Sequence, residues 1–165
     1  MTVDYIVLLL LWIILPIVLY IIVPRHRIRE FVAVFLFFQT LTWLFSIGLT
    51  YFEFLESPVR EFKFATQINF TVEYLVFPAA AVMFQRWFPN GSGKLRRSIH
   101  YVLSVGGILF FMFLLGTFTN IMDIKLDNLI RSAFNFTFEL WLCRKYIVWL
   151  MKQVTLQKEL RVDSA

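Results

Sequence analysis

Cysteine is all but missing from this chain. Cys143 is the only one in 165 residues, which excludes an intrachain disulfide and any cysteine-based metal cluster. Histidine is nearly as scarce: His26 and His100 are the only two, and their positions do not make metal ligands on one helix. No GxSxG, HExxH or paired-aspartate motif occurs, so nothing calls for a catalytic residue, a metal or a cofactor. Charge is sparse, at 16% of residues against about 25% in a soluble domain. Apolar side chains fill the space instead. They make up 59% of the chain, aromatics reach 19% with twenty Phe, and the mean hydropathy is +0.72. A soluble domain of this size cannot hide that much apolar surface. A soluble enzyme, a disordered chain and a disulfide scaffold are therefore excluded, and an all-α integral membrane protein remains.

A bilayer core takes about 20 largely apolar residues per helix. Five windows meet or approach that length: residues 5–23, 31–51, 69–88, 99–118 and 129–151. The first two and the fourth are uncharged, and the third holds one acid, Glu73. The fifth is compromised by Glu139, Arg144 and Lys145. Together they form a single membrane domain of five spans. An interfacial outer loop covers 52–68, a basic inner loop 89–98 and a cytoplasmic tail 152–165. The first window lacks a basic n-region and a small-residue cleavage site, so it reads as an uncleaved anchor. The basic cluster Arg25, Arg27, Arg29 follows it and places the N-terminus outside. With five crossings, twelve of the sixteen Lys and Arg fall inside, and Arg60, Lys63, Lys125 and Arg131 fall outside. Without the fifth crossing the balance would be seven inside against nine outside. The positive-inside rule therefore favours an internal C-terminus. The net charge of +5 describes orientation and points to no nucleic acid. A cationic inner rim attracts anionic lipid headgroups.

Pro16 and Pro78 each fall within a window and remove one helix hydrogen bond, so both helices are expected to kink. Ala79, Ala80 and Ala81, and separately Ser104, Gly106 and Gly107, are expected to allow close helix contact. Gly91-Ser92-Gly93-Lys94 resembles a phosphate loop only in part; without the full spacing and a preceding strand it reads as a turn. Trp12 and Trp43 lie too deep for an interfacial belt.

Intramembrane ionisable groups cost roughly 2.5–3.5 kcal/mol on insertion scales, so they mark function or buried pairing. Glu73 sits about one turn below the outer end of its span, where Arg60 is its first candidate partner. Glu139 is deeper. Arg131, Asn135 and Glu139 share one face of the fifth helix, and Gln39, Thr42, Ser46 and Thr50 form a stripe on the second. If the two stripes meet, Glu139 accepts from Gln39, Thr42 or Ser46. That either glues the helices or lines a small hydrated cavity. Cys143, one turn on, reads as a buried inert thiol.

Several segments together resemble a known family. They are Val23-Pro24-Arg25 with Arg29-Glu30, Thr42-Trp43-Leu44-Phe45, Ser57-Pro58-Val59-Arg60-Glu61-Phe62, and Phe70-Thr71-Val72-Glu73-Tyr74-Leu75-Val76-Phe77-Pro78. They are similar to a family of small multi-pass membrane proteins of spore-forming Gram-positive bacteria, conserved hypothetical proteins with no established activity or ligand. The likeness runs over most of residues 12–80. Val72 departs from it, standing where an aromatic is expected. The resemblance implies that Arg60, Glu73, Tyr74 and Pro78 belong to one recurrent unit, and it sharpens the pairing of Arg60 with Glu73.

The expected function is non-enzymatic, in a bacterial cytoplasmic or spore membrane, through contacts with the lipid bilayer or a membrane-protein partner. One alternative is a small transporter or channel subunit with Glu139 lining a polar path. Another is a membrane-embedded enzyme acting on lipids. Arg60, Glu73, Tyr74, Gln39, Asn135 and Glu139 form the candidate polar cluster. A cysteine appended after Ala165 should be labelled by impermeant reagents only from the cytoplasmic side; labelling from outside would overturn the odd number of crossings.

Overall fold

The computed structural model describes residues 3–51, 61, 69–121 and 126–163, and all regular structure among them is helical. Helix α1 (Val3–Ile22) is almost wholly aliphatic and stops two residues before Pro24, which cannot continue it. A 3-10 turn, Arg25–Arg27, leads into α2 (Ile28–Tyr51). A π-helical turn, Val72–Val76, runs directly into α3 (Phe77–Arg86). Gly91 then turns the chain with φ of 80°, a conformation that favours glycine. Gly93, extended, opens α4 (Lys94–Phe118). The segment around Lys94 is thus a turn into a helix, as its composition implies. The last element is α5 (Leu126–Asp163).

Length and composition make three stretches able to cross a bilayer: Val3–Ile22, Arg25–Tyr51 and Lys94–Phe118. Helix α3 has ten residues, and the charges within α5 interrupt its apolar run. Helix α5 has 38 residues, about 57 Å at 1.5 Å per residue against a hydrocarbon core of about 30 Å. It continues through Asp163, where the sequence windows end a helix at residue 151 and begin a tail. Of residues 52–68, where an outer loop is expected, Glu61 alone is described.

The shortest helix is the innermost. On α3 and the π turn, Val72, Leu75, Val76, Phe77, Ala79, Ala81, Val82 and Phe84 are all buried, and α1, α2, α4 and α5 all pack around this segment. Ala79 and Ala81 give it a slim profile, as expected of the alanine run. The outer faces of the surrounding helices are apolar. Ile13, Ile17 and Ile21 of α1, Leu36 and Ile47 of α2, Val102 and Phe110 of α4, and Phe134 and Trp141 of α5 are exposed. An apolar exterior around the packed interior suits a bundle whose solvent is hydrocarbon.

The glycines of α4 do not act as expected. A Cβ built on Gly106 or Gly107 meets nothing within 4 Å, so neither allows a close helix approach. Gly107 and Ser104 instead border an open groove beside α3.

Polar ties close the two ends of the bundle. At one end Asp4 accepts the Asn120 backbone N–H at 2.9 Å, joining the start of α1 to the segment after α4. At the other, Glu30 takes two hydrogen bonds from the Arg27 guanidinium, at 2.9 and 2.8 Å, and one from Gln85 of α3 at 3.2 Å. Arg86 donates to the Ile22 carbonyl at 3.3 Å, capping the end of α1. Arg144 of α5 reaches Asn90 and stacks over Phe88 at 4.3 Å.

Candidate functional site

Midway between these ends, α2, the π turn and α5 enclose a small polar cavity of about 30 Å³. It is built one residue per turn. Thr42 and Ser46 come from α2, Glu73 from the π turn, and Ser132, Asn135 and Glu139 from α5. Phe77, Phe136 and Met112 close it with apolar walls, and the rings of Phe77 and Phe136 meet edge to face with centroids 4.6 Å apart. Glu73 retains 6% of its surface and Glu139 none. Along the helix, Glu73 lies about 20 Å from Arg86 at 1.5 Å per residue.

Local sequence explains why the chain deforms at Glu73. In the π turn each amide reaches five residues back, and the Phe77 N–H bonds the Val72 carbonyl. The next residue is Pro78, which has no N–H. In the π register the acceptor left without its donor is the Glu73 carbonyl. The Thr42 hydroxyl of α2 stands 3.4 Å from that oxygen, and also 3.2 and 3.1 Å from the carbonyls of Phe38 and Gln39. A proline on the segment itself and a threonine on α2 thus both stand at the carbonyl of the carboxyl-bearing turn.

The start of this segment is tied down independently. Asn69 caps it, its side-chain oxygen accepting the Val72 N–H at 3.1 Å. The Glu61 carboxylate accepts the N–H groups of Phe70 and Thr71 at 3.0 and 3.1 Å, along with the Thr71 hydroxyl. An acid there suits the positive end of a helix. Thr71 accepts in turn from the Trp12 indole N–H at 2.8 Å. Trp12 is therefore a tether from α1 to this turn, which accounts for a tryptophan too deep for an interfacial belt.

The carboxyls themselves are under-satisfied. One oxygen of Glu139 accepts from the Asn135 amide at 2.8 Å, and the Ser46 hydroxyl faces Glu73. The second oxygen of each, Oε2, is buried without a hydrogen-bond partner. Among the described residues no Lys, Arg or His lines the cavity, and the two acids are close enough for their charges to interact. Burying one uncompensated carboxylate is costly, and two side by side more so. The arrangement suits a proton carried on either acid, or one small cation. A cavity of this volume also accommodates a water molecule.

The six expected cluster residues divide. Glu73, Glu139 and Asn135 converge on the cavity. Tyr74 lies half-buried outside it, stacked on Phe70 with centroids 4.4 Å apart. Gln39 is on the expected face of α2 but one turn beyond the lining, and Glu139 bonds Asn135 in place of Gln39, Thr42 or Ser46. Arg60, and with it the expected bond to Glu73, lies outside the described residues. Arg131 is exposed, and Ser132 next to it takes the lining position instead. Ser132 was overlooked although its spacing of three and seven from Asn135 and Glu139 places it on their face. Cys143 is buried as expected, with Sγ 4.0 Å from the Val34 carbonyl. No protein family, curated protein or solved structure is found to match this chain.

Replacing Thr42 with Val removes the hydroxyl at nearly constant shape. It is expected to destabilise the protein in detergent unfolding by about 1 kcal/mol, the usual worth of such a hydrogen bond. In a Pro78→Ala background, where an amide returns to serve the freed carbonyl, that cost should fall by at least half. An equal cost in both backgrounds would show that Thr42 does not act through Glu73.

Proposed function

We propose that this chain is a five-span, non-enzymatic membrane protein, N-terminus outside and C-terminus inside, whose bundle core binds and passes a proton. The observation that carries this reading is the pair of buried carboxyl oxygens, one on Glu73 and one on Glu139, left without partners beside a shared cavity. Among the described residues no cation lines that cavity, and ionisable groups at membrane depth mark function by default. The charge balance of the sequence supports the orientation, and its resemblance over residues 12–80 supports a bacterial cytoplasmic membrane.

Each residue then has a role. Glu73 and Glu139 exchange the proton. Asn135 fixes the orientation of the Glu139 carboxyl through its amide. Ser46 offers a hydroxyl that can donate or accept as the charge on Glu73 changes. With Glu139 fully buried, passage requires a second arrangement that opens the cavity to each side in turn. The π turn supplies the deformable element, since π segments are single-turn irregularities frequently found at functional sites. Its return to α geometry would rotate Glu73 against α5.

The test is proton movement into proteoliposomes loaded with a pH-sensitive dye, driven by a potassium diffusion potential. Wild-type protein should acidify the lumen, and Glu139→Gln should slow this at least tenfold while leaving the helical circular dichroism unchanged. Equal rates for the two proteins would overturn the assignment.

A further inference from the structure

Helices α1 and α2 are consecutive in the chain, yet they do not pack on each other; both lean on α3. The space between them is a groove of about 350 Å³. Pro16 and Leu19 form one wall, Phe31 and Phe35 the other, and Val82 of α3 the floor. An unfilled gap of this size forfeits the dispersion contacts that a packed interior makes. The groove ends at the tight turn between the helices, where its character changes. Arg25 stands there, and its guanidinium donates to the Tyr20 hydroxyl at 3.0 Å. Among the described residues no carboxylate pairs with Arg25. Its neighbour Arg27, by contrast, is fully engaged with Glu30.

An apolar trough closed at the membrane surface by an unneutralised guanidinium matches one kind of molecule. We propose that the groove holds an acyl chain of an anionic phospholipid, with the headgroup phosphate against Arg25. Tyr20 orients the guanidinium and leaves its remaining N–H groups free for phosphate oxygens, the forked geometry that arginine offers. The net charge of the headgroup matters because a zwitterionic lipid would bring its own cation beside Arg25. Pro16 shapes the upper wall, since a proline in a helix bends it away from the ideal axis. The proposal rests on the membrane-spanning reading but not on the carboxyl pair.

The full chain reconstituted into vesicles of equal phosphatidylglycerol and phosphatidylcholine, then extracted in mild detergent, provides the test. Lipid retained per chain is measured by mass spectrometry. Wild-type protein should keep about one phosphatidylglycerol, enriched about fivefold over phosphatidylcholine, the worth of one well-placed cation at a membrane surface. Arg25→Gln should abolish that enrichment, and Arg29→Gln should preserve it. Val32→Trp, which fills the groove from its exposed rim, should lower retention of both lipids. Equal retention of both lipids by the wild type, equal losses in the two arginine variants, or full retention by Val32→Trp would each overturn the proposal. Failure of the protein to float with the vesicles would instead overturn the membrane-spanning reading itself, and the lipid site with it.

Discussion

Hydrocarbon offers a polar group nothing, so every donor and acceptor at membrane depth must find its partner within the chain. That constraint accounts for most of the architecture. Helices satisfy their own backbones, and the departures occur where another element can compensate. Pro78 withholds an amide from the Glu73 carbonyl, and the Thr42 hydroxyl of α2, shared with two carbonyls of its own helix, stands 3.4 Å from it. The first turn of the central segment has unpaired N–H groups, and the side chains of Glu61 and Asn69 take them up. The Trp12 indole finds Thr71. Glu30 is surrounded by Arg27 and Gln85. Against this thorough satisfaction the two open carboxyl oxygens of Glu73 and Glu139 stand apart. They are the clearest mark of function in the fold.

The same constraint explains why the least regular helix is the innermost. A lipid-facing turn with an irregular hydrogen-bond pattern would leave a carbonyl exposed to hydrocarbon. The π turn instead packs against α1 and α2 and runs directly into α3. Its position gives the site both rigidity and a point of release. The start of the segment is anchored by the Glu61, Thr71 and Trp12 chain, and its end by Gln85 and the Arg86 cap on α1. Between those anchors lies the π turn, and it carries Glu73. The segment is thus tied to α1 and α2 through identifiable bonds.

Much of this was legible in the sequence. Four helix windows followed from charge-poor runs, and the Asn135–Glu139 bond follows from a spacing of four on one helix. The convergence of Glu73 and Glu139 was not readable, because the relative rotation and depth of two helices depend on packing that no window reports. Gln39 illustrates the limit: its face was right and its depth wrong by one turn. The π turn was hidden as well. A proline announces a missing amide, but whether the helix answers with a kink or a wider register depends on a distant hydroxyl. Gly106 and Gly107 misled for a related reason. Small residues permit a close approach but do not require one, and here no neighbouring helix comes near them. Apolar windows locate membrane and do not report where a helix ends, and α5 continues to Asp163, beyond its apolar part.

The central claim is that Glu73 and Glu139 form one site and exchange protons as a pair. Infrared difference spectroscopy of the reconstituted protein across a pH titration tests this most directly, by following the carboxyl bands of the wild type, Glu73→Gln and Glu139→Gln. Two acids sharing a cavity titrate as a coupled system. The account therefore predicts that removing either acid displaces the titration of the other. A remaining carboxyl that titrates as it does in the wild type, in both variants, would contradict it.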